Sequence, residues 1–130
     1  MNAPVNVQDA LEASVASTFD VVAWEIELAG ARCIQLDSIV GELMRTIPPE
    51  NRARVAEGLH TVDLLSQHLT GLSAFVRKLS GSAGPDLTVP VEEALREITL
   101  GALADRMTGA LGGPERGIND REDAGEIDLF

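Results

Sequence analysis

Asp63 and Gln67 are the residues whose types and spacing come closest to suggesting chemistry. Four residues apart within an apolar-periodic stretch, they lie one helical turn apart on the same side. A carboxylate there sits beside a neutral amide that can both donate and accept hydrogen bonds. By itself such a couple is an ordinary hydrogen-bonded pair on a solvated helix face. His60, Thr70 and Ala74 continue that face. The remaining reactive residue types are scattered. His60 and His68 are eight residues apart, and no carboxylates complete a metal-ligand set around them. The one cysteine, Cys33, excludes an intramolecular disulfide and any Cys-based zinc site. It falls on an apolar seam and reads as a small core residue. The sequence has no glycine-rich phosphate loop of Walker or Rossmann form and no nucleophile elbow.

The elements that carry these residues read as helix throughout. Phe19, Ile26, Cys33, Val40 and Ile47 recur every seven residues, with Val22, Ala29, Leu36 and Leu43 three residues after the first four. This 3-4 alternation predicts a long helix packed along a seam, extended toward the N-terminus by Leu11 and Val15, with Gly30 and Gly41 off the seam. It would be roughly 55–60 Å long. Pro48-Pro49 ends it, because a proline lacks the N–H and restricts the residue before it. The same prolines suit the first turn of a second helix, with Glu50 at its positive end. Val55, Val62, Leu69 and Val76 form one apolar line on it, and Leu65, Leu72 and Leu79 a second, with Leu59 filling in. Ser80 to Pro85 is a connector. A third helix is expected from about Pro90 to Ala110, striped by Val91, Leu95, Ile98, Ala102, Met107 and Ala110. No segment alternates with period two for long enough to predict a strand.

The expected fold class is therefore all-α: a long antiparallel helical hairpin plus a third helix, in a helix bundle. A lone hairpin of this length cannot cover its own seam. Two hairpins from two subunits would cover it as a dimeric four-helix bundle, or the third helix would cover it within one chain. Trp24 falls off the seam and is expected to pack on the third helix or on a partner.

Charge divides the chain unevenly. Its 130 residues carry 10 Lys+Arg and 21 Asp+Glu, a formal net charge of -11, and only 3% are aromatic. Such a chain is repelled by phosphate backbones and offers few rings for stacking, so nucleic acid is excluded as a partner. There is no apolar run of membrane-spanning length and no basic-then-apolar leader, which gives a cytoplasmic expectation. Residues 111–130 hold 6 acids and 2 bases and are rich in glycine. The domain division read from this is a helical bundle over 1–111 and a flexible acidic tail over 112–130. The tail ends in Ile127-Asp128-Leu129-Phe130, three large apolar side chains on a solvated tether. They are either a frayed terminus or a short motif that docks in a partner's groove.

The stretch around Asp63-Leu64-Leu65-Ser66-Gln67 resembles the active helix of the CheZ family of chemotaxis phosphatases. That family carries an Asp-x-x-x-Gln motif, usually Asp-Leu-Thr-Gly-Gln, on a long helix of a dimeric four-helix bundle. Its members likewise end in a tethered acidic and apolar segment. In size and layout this chain is similar to the smaller CheT relatives. The resemblance covers about 15 residues around the motif, the hairpin and the last five residues. Leu65 and Ser66 replace the usual Thr-Gly. It implies that the substrate is the aspartyl-phosphate of a CheY-like response regulator. Gln67 would be the catalytic residue that places the attacking water, as a glutamine does in small GTPases. Asp63 would pair with the regulator's active-site lysine. His60 and Thr70 would lie in the contact, and Ile127, Asp128, Leu129 and Phe130 would dock on the regulator. No cofactor is expected on this chain itself; Mg²⁺ would be carried by the receiver. A histidine phosphotransfer protein using His60, or a non-catalytic adaptor for chemotaxis proteins, are the alternative readings.

Overall fold

The computed structural model describes residues 10–114. The chain is mostly helical, built on a long antiparallel hairpin of α1 (Val15–Leu43) and α2 (Pro49–Ser82). The other elements are a 3-10 turn (Met44–Thr46), two short strands, β1 (Glu12–Ser14) and β2 (Thr88–Pro90), and two short helices, α3 (Glu92–Arg96) and α4 (Gly101–Ala110). The described residues divide into two compact units. One comprises 10–21 and 79–114, the other Val22–Lys78.

In the first unit β1 and β2 pair antiparallel, with Ala13 opposite Val89. The ladder continues at both ends: Val15 N–H donates to the Leu87 carbonyl (2.9 Å) and Val91 N–H to the Leu11 carbonyl (3.0 Å). These strands correct the expectation of helix alone, and of a first helix reaching back to Leu11. Three residues are too few to display an alternating pattern. Ser14 sets the switch from strand to helix, because its Oγ accepts the Ser17 N–H (2.9 Å) in N-cap geometry. As a result α1 has 29 residues, about 44 Å, shorter than the heptad run suggested.

The third helix is also corrected. It is two helices, interrupted at residues 97–100. Ile98 and Thr99 are β-branched and Gly101 opens α4, so local propensity there is weak. Leu100 is extended (ψ 109°), which starts α4 in a new direction. The break leaves Ile98 free to pack beside Val91 and Leu95 in a core completed by Ala13 and Leu111. Leu11, Val21, Val89 and Met107 pack around it. Ala110, expected on the stripe, is exposed. The end of α4 is a Schellman closure: Gly112 has φ 91°, Gly112 N–H donates to the Gly109 carbonyl (3.1 Å), and Gly113 N–H to that of Thr108 (2.8 Å). Ser80, buried near the end of α2, donates from Oγ to the Ala16 carbonyl (3.0 Å) and ties α2 to the first turn of α1.

In the second unit the prolines act as expected, with Pro49 opening α2 and Glu50 in its first turn. Arg52 reaches back over the turn and donates from Nε to the Ile47 carbonyl (3.0 Å). The first apolar lines, Ile26, Cys33 and Val40 on α1 and Val55, Val62, Leu69 and Val76 on α2, are half-buried. The second lines are not where expected. Leu36, Leu43, Leu65 and Leu72 are each about half exposed (49–51%). Small residues take the buried places instead: Ala23, Gly30 and Ser73 are buried. Gly30, expected off the seam, has its missing Cβ position 3.9 Å from Leu69 Cβ. With no side chain at Gly30 the helices meet there, and the leucines are left at the flanks. Across the helices Arg77 grips Glu27 through two of its nitrogens, Nε to Oε2 (2.7 Å) and Nη2 to Oε1 (2.9 Å).

Candidate functional site

The motif residues lie in the middle of α2, within the second unit. Asp63 and Gln67 are both exposed, and Gln67 Nε2 donates to Asp63 Oδ2 (2.9 Å). The bond fixes one face of the amide. It leaves Gln67 Oε1 to accept, the second Nε2 hydrogen to donate, and the other Asp63 carboxylate oxygen for a partner cation. His60 and Thr70 are exposed as well. The Thr70 hydroxyl, however, is directed to its own helix, donating to the Ser66 carbonyl (3.0 Å). Ser66, which stands where the related motif has glycine, is half-buried and so leaves the exposed face to its neighbours.

The Glu27–Arg77 ion pair shows which side of the hairpin this is. Thr70 and Asp63 lie one and two heptads before Arg77, and Ile34 lies one heptad after Glu27. All share the ion pair's side. Among the described residues Ile34 is the most exposed of the large apolar side chains (63%). Sequence reasoning missed it, although its heptad position relative to Ile26 and Cys33 already marks it as off the seam. The hydrogen bonds from Arg77, more than its charge alone, hold the Glu27 carboxyl below the usual carboxylate range. Trp24, expected to pack on the third helix or on a partner, is exposed in the single chain (55%).

A shallow, wide-open surface depression beside the motif is lined by Leu64, Gln67, His68, Gly71 and Leu72, all on α2. Sequence reasoning took Leu72 as seam and gave Leu64 and Gly71 no role. Among the described residues, no three His, Cys, Asp or Glu side chains are grouped to hold a metal ion. Cys33 is a free, half-buried thiol on α1. No helix among the described residues is long and apolar enough to cross a membrane. The predicted docking residues Ile127, Asp128, Leu129 and Phe130 lie outside the described residues.

Comparison with known families matches residues 11–130 to a domain of unknown function, DUF8776, and the chain belongs to that family. No curated protein and no solved structure matches.

Proposed function

We propose that this chain is a response-regulator phosphatase of CheZ type, working in the cytoplasm on the aspartyl-phosphate of a CheY-like receiver. The observation that carries the reading is the exposed Asp63–Gln67 pair, one turn apart and joined at 2.9 Å. An acyl phosphate already has a good leaving group, and the receiver's Mg²⁺ supplies charge neutralisation. What remains is to place a water in line with the scissile P–O bond. Water attacks phosphorus, the bond to the receiver's carboxylate breaks, and inorganic phosphate leaves. The Gln67 amide suits this task because it is neutral: it accepts from the water without repelling the phosphoryl oxygens. Asp63 has two roles. One oxygen holds the amide and the other meets the receiver's active-site lysine, so docking and water placement share one carboxylate.

Two further features belong to this reading. The half-exposed leucines Leu36, Leu43, Leu65 and Leu72 come from both helices at heptad spacing, which fits a second copy of the chain in a dimeric four-helix bundle. The terminal Ile127, Leu129 and Phe130 would add a weak tethered contact to the receiver and raise its effective concentration at Gln67. His60, exposed three residues before Asp63, keeps a phosphotransfer reading open; against it, the Asp63 carboxylate would repel a phosphohistidine. A non-catalytic adaptor needs no Gln67 at all.

The experiment is phosphate release from a phosphorylated CheY-type receiver, with wild type beside Gln67→Ala. Loss of catalysis in the variant supports the assignment, equal rates refute it, and label transferred to His60 favours phosphotransfer. In the same assay, removing residues 126–130 should raise KM far more than it lowers kcat; an unchanged KM means the terminus does not dock.

A further inference from the structure

We propose that Ile34 is the anchor that holds the phosphorylated partner over the Asp63–Gln67 pair, so that the site is built from both long helices and takes a receiver with an apolar patch beside its phosphoryl group. This rests on the phosphatase reading and adds the residue by which the substrate is selected. Two contacts fix the register of α1 against α2. Glu27 meets Arg77, and one heptad forward on α1 and one back on α2 bring Ile34 level with Thr70. The missing Cβ of Gly30 lies 3.9 Å from Leu69 Cβ, and four residues along each helix from there bring Ile34 level with Leu65. Gln67 falls between these two levels. Ile34 therefore stands beside Gln67, one helix spacing away, about 8–10 Å from axis to axis.

The flank is fixed as well. Residues two apart on a helix point about 160° apart. Ile34 and Leu36 are such a pair on α1, and Asp63 and Leu65 on α2. The ion pair puts Ile34 on the motif's flank, and the leucines take the opposite one. A contact between copies through the leucines thus leaves Ile34 uncovered. Its neighbours one turn away on α1, Ala31 and Ser38, are small and exposed, so Ile34 stands above them, itself 63% exposed. What covers it follows from the reaction. Even a small specific interface buries about 600 Å² on each partner, a patch roughly 25 Å across. A protein that delivers a phosphoryl group to Gln67 therefore also covers Ile34, whereas a free phosphate ion would not touch it. An apolar side chain ringed by polar ones, here Asp63, Gln67, Thr70 and the Glu27–Arg77 pair, is the composition of an interface centre with its rim.

The test uses the full chain with Ile34→Ala, Ile34→Asp and Ile34→Leu. The position is exposed, so melting temperatures should hold. Against a phosphorylated CheY-type receiver, KM should rise about 5-fold for alanine and about 20-fold or more for aspartate, with kcat within about 2-fold. Leucine, of similar size and polarity, should keep KM within about 2-fold of wild type. Such a split separates lost docking from lost chemistry. An unchanged KM for Ile34→Asp in an active protein overturns the anchor and leaves the phosphatase reading standing. A loss confined to kcat overturns it too, because an anchor acts on binding. So does a shift in sedimentation of Ile34→Asp, because Ile34 would then lie between copies of this chain. A wild type that fails to accelerate phosphate release removes both proposals.

Discussion

Gln67 can be removed without disturbing the fold. It is exposed and its one hydrogen bond to a neighbouring side chain goes to Asp63, itself exposed. Surface substitutions of this kind usually change stability by about 0.5 kcal/mol or less. The cost of losing a placed water is far larger, because a misplacement of about 1 Å can cost roughly 100-fold in rate. Gln67→Ala should therefore lower kcat about 100-fold, with KM and melting temperature nearly unchanged. Gln67→Glu sharpens the point. It keeps the shape but sets a carboxylate against both Asp63 and the phosphoryl oxygens, so it should be as inactive as alanine. A Gln67→Glu protein with wild-type kcat would mean that a neutral amide is not what the reaction needs. The pairing of Asp63 with Gln67 was legible from their spacing alone. The hydroxyl of Thr70 was not, because a threonine on a helix can turn back to the carbonyl four residues earlier, and here it does.

The short elements rest on close contacts that no periodicity reveals, and Gly113 is the clearest case. A Cβ there would lie 2.6 Å from Thr108 Cγ2, 2.9 Å from Leu11 Cδ2 and 3.2 Å from the Thr108 carbonyl oxygen. Thr108 is buried and its hydroxyl is committed to the Ala104 carbonyl at 2.7 Å, so it has little room to give. Gly113→Ala should destabilise the fold by about 1–3 kcal/mol, as overpacking does, read as a lower midpoint in chemical denaturation. Gly112, with φ 91° but no atom within 4 Å, would suffer from backbone strain instead. By composition both glycines read as the start of a tail. The space that Gly113 leaves is filled in part by Leu11, about a hundred residues earlier in sequence, and no local pattern reports that. The same holds for β1 and β2, whose partners are brought together only by the hairpin between them. The long helices were legible because heptads and Pro48-Pro49 are local signals. Which apolar line faces the neighbouring helix was not. Ala23, Gly30 and Ser73 carry little or no hydrophobic signal, yet they take the buried places, and the leucines that dominate the pattern stand aside.

At the scale of the molecule the displaced leucines leave apolar surface unburied on both long helices. Burying a leucine completely is worth about 1.5–3 kcal/mol. Leu36, Leu43, Leu65 and Leu72, each about half exposed, leave roughly half of that unrealised. Ile39 (46%) adds to the same account on α1. A second copy could cover these side chains with its own, since the two helices of one hairpin would meet the two of another as a four-helix bundle. Charge opposes this: each chain carries a net -11, and like-charged chains repel until salt screens them. The balance gives a prediction with two signs. Sedimentation of the wild type should show a dimer that tightens as salt increases, because screening removes repulsion while leucine burial is untouched. Leu36→Glu combined with Leu65→Glu should yield monomers at every salt concentration, with helical content largely kept, since both positions are exposed within the single chain. A wild type that is monomeric at high salt would mean that the leucine face is not used between copies, and the cover for it would have to come from a different protein.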